Sequence, residues 1–167
     1  MDFLSKNRFA LMTGLWLLCA ALVQPALAAD KAGGLRIATF ETDATPPIGY
    51  EMGYSVVKSI GTPLQAKGVV ITGAGKPIVM LAVDWGGVDG RARDEWHALL
   101  AKAAGTTPDR VTVHHLHQHD APGAGFHIYD ERARHGLPER IPAGLPDKRQ
   151  WARAVMENSA AALTRAL

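Results

Sequence analysis

Four of the seven histidines of this chain fall in one short run, His114-His115-Leu116-His117-Gln118-His119, and Asp120-Ala121-Pro122-Gly123 follows at once. Neutral imidazole is a common zinc ligand. The preceding Arg110-Val111-Thr112-Val113 reads as a short strand. If that strand continues through the histidines, side chains alternate between its faces, and His115, His117 and His119 share one of them. Residues at i and i+2 on a strand let two rings converge on one ion. Pro122 and Gly123 then turn the chain out of the sheet. The histidines would stand at the carboxyl end of a strand, where ligand sites of open α/β sheets lie. The competing reading is a polar strand end with solvated histidines.

A second loop meets the same criteria. Ile78-Val79-Met80-Leu81-Ala82-Val83 is continuously apolar, predicts a strand buried on both faces, and ends in Asp84-Trp85-Gly86-Gly87. The glycines allow close approach of backbone or ligand. Asp84 is a candidate to orient a metal-bound histidine or to accept a proton from a bound water. Its structural alternative is a helix cap or turn residue. His97 reads as a structural helix residue and His127 and His135 as solvated loop residues. His114, pointing away from His115, is a candidate filler of a sheet–helix interface.

The elements that must position these residues are legible from periodicity. Leu35 to Phe40 predicts a first strand. Thr42 to Gly53 is rich in turn residues, and reads either as a functional loop or as an arm packed across the sheet. Leu64–Thr72 and Pro77–Asp84 predict a hairpin across Gly73-Ala74-Gly75-Lys76. Val88–Ala104 carries Trp96, Leu99, Leu100 and Ala103 at helical spacing, and Gly105 ends it. Ala121 to Leu145 predicts a long mobile loop. Asp147–Leu167 predicts a closing helix with Asp147 as cap and a stripe of Trp151, Ala154, Val155, Ala162 and Leu163. A helix between the two site strands makes them parallel neighbours, with both carboxyl ends on one edge. The fold class is therefore α/β: a mixed β-sheet flanked by helices.

The first 28 residues read as a signal peptide. Lys6 and Arg8 form a basic n-region, Phe9 to Val23 an apolar core, and Ala26-Leu27-Ala28 a small-x-small cleavage site. The predicted compartment is secreted or periplasmic, and residues 29–167 form the working domain. No second apolar run predicts a stable membrane span. Leu18 ahead of Cys19 does not fit a lipoprotein signal. Cys19 is the chain's one cysteine, so the processed protein has neither disulfide nor thiolate, and any ligand or nucleophile is an oxygen or nitrogen group. Loss of Lys6, Arg8 and Asp2 with the leader lowers the formal charge from +2 to +1. That balance gives no electrostatic basis for nucleic acid as a partner.

Three segments resemble the N-terminal part of the neutral/alkaline, non-lysosomal ceramidases, in that family's order. Asp43-Ala44-Thr45-Pro46-Pro47-Ile48-Gly49 with Met52-Gly53-Tyr54 is similar to its first loop. Leu64-Gln65-Ala66-Lys67-Gly68-Val69-Val70 through Val83-Asp84 is similar to its hairpin with a strand-terminal aspartate. His117-Gln118-His119-Asp120-Ala121-Pro122-Gly123 resembles its His-Thr-His-Ser-Gly-Pro-Gly zinc loop. The resemblance implies a zinc-dependent hydrolase acting on an amide bond of a lipid-like substrate. It implies His117 as a zinc ligand and His119 beside the zinc-bound water; by position, Asp84 stands close by and His115 is a candidate to fill part of the shell. Zinc in such a site lowers the pKa of its water and polarises a carbonyl. Gln118, Asp120 and Ala121 replace the family's Thr, Ser and Gly, and His115 stands where a small residue is usual. The family's remaining zinc ligands and its catalytic serine lie further along, with no counterparts here, which implies the N-terminal part of a larger catalytic domain.

Two other classes compete. A non-catalytic secreted metal-binding module needs only the local histidines. A metallo-β-lactamase-like hydrolase uses His-x-His-x-Asp-His, and here His119 precedes Asp120, the reverse order.

Overall fold

In a computed structural model, residues 34–52, 55–88, 90–125, 134–136 and 142–167 are described. The leader expected at residues 1–28, and most of the loop expected between Ala121 and Leu145, lie outside them.

The sheet has four strands. β1 (Arg36–Asp43) pairs antiparallel with β4 (Gln65–Thr72), β4 pairs antiparallel with β5 (Ile78–Val83), and β5 pairs parallel with β7 (Val111–His115). The spatial order is β1-β4-β5-β7. The turn between β4 and β5 uses Gly73 and Gly75 at φ of 103° and 85°, a region closed to most side chains. Two short pairs complete the β structure among the described residues: antiparallel β2 (Glu51–Met52) with β3 (Ser55–Val56), and parallel β6 (Gly87–Val88) with β8 (Gly123–Ala124).

The crossover from β5 to β7 is α1 (Gly90–Ala104). It begins two residues later than the periodicity predicts, because Gly87 and Val88 are held in the β6–β8 pair. Its end is a Schellman turn. Gly105 adopts φ 65° and donates to the Lys102 carbonyl, while Thr106 N–H reaches back to Ala101 O at 2.9 Å. The closing helix α2 (Lys148–Ala166) is capped as expected: Asp147 Oδ1 accepts from Gln150 N–H at 2.7 Å.

Both helices pack on one face of the sheet. Ala66, Val70, Val79, Leu81, Val83 and Val111 from the strands meet Trp96, Leu100, Val155, Met156 and Leu163 from the helices in one buried cluster. Burying a side chain of the size of Leu81 or Leu163 contributes about 2 kcal/mol relative to leaving it exposed. Phe40 lies over Gly68, its cross-strand partner, so closely that a Cβ there would overlap the ring.

The other face is uncovered among the described residues. β5 alternates strictly, with Val79, Leu81 and Val83 buried while Ile78 and Met80 are 39% and 44% exposed. The expectation of a strand buried on both sides is therefore corrected: among the described residues its apolar run faces a helix layer on one side. His114 is corrected too. It lies on the open face, beside Lys67, Val69 and Met80, rather than in the sheet–helix interface.

Candidate functional site

The site is built from the carboxyl ends of the parallel neighbours β5 and β7, as their connection predicts. The two chains leaving those ends are laced together. Leu116 N–H donates to Val83 O at 3.2 Å and His117 N–H to Trp85 O at 3.1 Å. The Gln118 side-chain amide donates to Asp84 O at 2.6 Å. Gly86 N–H donates to Pro122 O at 2.8 Å, and β6–β8 pairing follows directly. His117 Nδ1 stands 2.9 Å from Gly86 O.

This lacing alters the expected geometry of the histidines. β7 ends at His115, and His117 takes a left-handed conformation at φ 57°, so strand alternation does not carry through His119. The shared-face argument is corrected for that reason: Trp85 and Gly86 draw the chain out of the pleat. The rings nevertheless remain neighbours. His115 and His117 have centroids 5.9 Å apart, and His117 and His119 5.3 Å apart, nearly edge to face. All three are exposed. His97 lies elsewhere, half-buried on α1, with its pKa lowered by burial and then by Arg93.

Asp84 touches this loop through its main chain. Its carboxylate accepts from Gln65 N–H at 2.9 Å, and its own N–H donates to Gln65 O at 2.9 Å, closing the mouth of the β4–β5 pair. It is a turn residue that anchors the β5 end while its carbonyl holds Gln118.

Beneath the turn sits Trp85, fully buried, with its indole N–H on Ala44 O at 3.0 Å. It packs on Trp96 and Trp151, at centroid distances of 6.2 and 5.3 Å. The first loop is thus an arm packed on the fold: Ala44 is buried, and Tyr50, Met52 and Val57 form a second small core against Leu145 and Trp151. Tyr50 Oη donates to Pro146 O. A cleft of about 330 Å³ opens between this arm and the histidine loop, with Met52, Val57 and Leu64 as apolar wall and Thr45, Gln118 and Asp120 as polar lining. Trp85 and Gln118 carry structural roles that the sequence alone did not assign. The only signal was their position: one in a glycine turn, the other inside the histidine run.

Among the described residues no three His, Cys, Asp or Glu side chains come together in a group that could hold a metal ion. The described residues do not complete a zinc shell, and no reaction step through zinc is derived from them.

The architecture is that of a partial α/β domain: a mixed four-stranded sheet with two helices. It matches a solved structure of that kind, the neutral ceramidase from Pseudomonas aeruginosa, with a TM-score of 0.53 at 20% identity. The match covers 79% of this chain and 21% of the ceramidase, so the chain spans about a fifth of that protein's length. A second structure, a ceramidase complexed with C2, matches at TM-score 0.46 and 20% identity over 80% of this chain and 20% of its own. No protein-family model matches the chain. No curated protein does either. No helix among the described residues is long and apolar enough to cross a membrane.

Proposed function

We propose that this chain is the N-terminal portion of a ceramidase-like, zinc-dependent hydrolase that cleaves an amide bond of a lipid-like substrate. The observation that carries the reading is the coincidence of fold and loop. A chain with the fold of part of a neutral ceramidase places a His-x-His loop at the carboxyl end of its parallel strand. In this reading His117 is a zinc ligand, His119 stands beside the reacting water, and Asp84 supports the loop. His115, whose ring neighbours that of His117, is an additional donor. The cleft lined by Met52, Val57 and Leu64 gives an apolar substrate chain a place beside the loop. Residues 1–28 direct the protein out of the cytoplasm and are removed after Ala28. An intact mass for the exported protein that starts at Ala29 is the expected result, and retention of Met1 to Ala28 would mean an anchor instead.

The incomplete donor set among the described residues favours one second reading, a non-catalytic secreted metal-binding module. Two measurements separate them. Zinc titration of the chain should give weak binding that His117→Ala diminishes, and His97→Ala should leave it unchanged. Release of fatty acid from an N-acyl lipid should appear only when further polypeptide supplies the remaining ligands, and should vanish again with His117→Ala. Equal zinc affinity for wild type and His117→Ala would sink both readings. Zinc binding without hydrolysis in any longer form would leave the module.

A further inference from the structure

We infer that the Gly86 carbonyl is the positioning group of the histidine loop: it fixes His117 as the Nδ1–H tautomer and leaves Nε2 as the unprotonated nitrogen. A carbonyl oxygen only accepts hydrogen bonds, so the 2.9 Å contact requires a proton on Nδ1. In the neutral ring the lone pair then belongs to Nε2. Free imidazole side chains in water favour the opposite tautomer, so this contact reverses the intrinsic preference.

Three further observations make the contact a built feature. His117 is the one non-glycine residue with positive φ among the described residues, at 57°. That conformation is uncommon outside glycine, although His, with Asn and Asp, tolerates it better than most. It is maintained by His117 N–H on Trp85 O, so both the main chain and the ring of His117 bond to consecutive carbonyls of one turn. Gly86 itself is hemmed in. A Cβ at that position would stand 3.0 Å from Gln118 O and 3.6 Å from Ala121 O, both backbone atoms of the histidine loop. The absence of a side chain at residue 86 is therefore what lets the loop close on the carbonyl. Carbonyl or carboxylate partners on the far nitrogen are how proteins fix the tautomer of a ligating or basic histidine. Here the partner is a main-chain atom, so side-chain substitution cannot remove it directly.

The inference deepens the reading of His117 as a donor, yet its readout needs no zinc. Long-range proton–nitrogen correlation spectra of the metal-free protein, at about pH 8 where an ordinary histidine is neutral, identify the bare nitrogen by its downfield shift. His117 should show a protonated Nδ1 and a bare Nε2. Gly86→Ala should return the ring to a mixture dominated by Nε2–H while His115 and His119 keep their signals. His117→Asn offers an amide N–H in the place of Nδ1 and tolerates positive φ. It should keep the wild-type unfolding midpoint while losing His117-dependent zinc binding. An Nε2–H wild-type ring overturns the inference. So does a folded Gly86→Ala protein with an unchanged tautomer. If Gly86→Ala does not fold, the wild-type spectrum decides: a proton on Nε2 overturns the inference and a proton on Nδ1 upholds it. The expected tautomer combined with no zinc binding would leave this inference standing and remove the zinc reading.

Discussion

The Gln118 side-chain amide reaches across to the main-chain carbonyl of Asp84, 2.6 Å away, and ties the histidine loop to the end of the neighbouring strand. The bond joins residues 34 positions apart in the chain. Gln118→Ala should therefore loosen the loop as well as lower stability, by about 1 kcal/mol for one lost hydrogen bond. Thr is too short to span the same gap, so Gln118→Thr should behave like Ala. Urea midpoints for the two variants, with amide hydrogen exchange at His117, measure both effects. A midpoint equal to wild type would show that the bond contributes nothing.

Trp85→Phe tests the floor of the site. The substitution removes the indole N–H from Ala44 O and leaves that carbonyl buried without its partner. A loss of about 2 kcal/mol is expected, within the range for an unsatisfied buried group. Thermal unfolding gives the magnitude. Because Ala44 belongs to the arm that walls the cleft, protease sensitivity of residues 44–50 should rise in parallel.

Gly68→Ala tests the sheet. Its new methyl would overlap the Phe40 ring, and the cost of forcing that ring aside is about 1–3 kcal/mol. Phe40→Leu should recover part of the loss in the double variant, because the two residues are direct cross-strand partners. Strict additivity of the two single effects would count against the contact.

His97 makes stability depend on pH. Its pKa is lowered in the folded protein by burial and then by Arg93, with Asp94 opposing. The unfolded chain therefore takes up the proton first, near the ordinary value of 6.5. The stability that this residue contributes is fully present above that pH and is lost as the pH falls through the folded pKa. His97→Gln should flatten the decline in urea midpoint on acidification below about pH 6.5. Parallel wild-type and variant curves would show that His97 is not its source.

Much of the fold is legible in the sequence because burial repeats with the period of the element. The β4–β5 hairpin, the crossover helix ended by Gly105 and the closing helix capped by Asp147 follow from alternation, helical spacing and local capping chemistry. The parallel pairing of β5 and β7 follows from the helix between them. Apolar continuity, by contrast, misleads at β5. Ile78 and Met80 are as apolar as their buried neighbours, and nothing local records that, among the described residues, helices cover one face and leave the other open.

The sequence by itself determined which groups are available: a cluster of imidazoles, an aspartate and a glycine turn at strand ends that the topology must bring together. Residue types and connectivity fix that much, because both are properties of the chain read in order. Only the tertiary structure decided how those groups are presented. It ended β7 at His115, turned His117 into the left-handed region and set its Nδ1 against Gly86 O. It also gave the Asp84 carboxylate to Gln65 and the Asp84 carbonyl to Gln118. These outcomes rest on hydrogen bonds between segments 19 to 34 residues apart, to main-chain groups common to almost every residue. No pattern of side chains encodes such partners, so their choice appears only when the two loops are packed together.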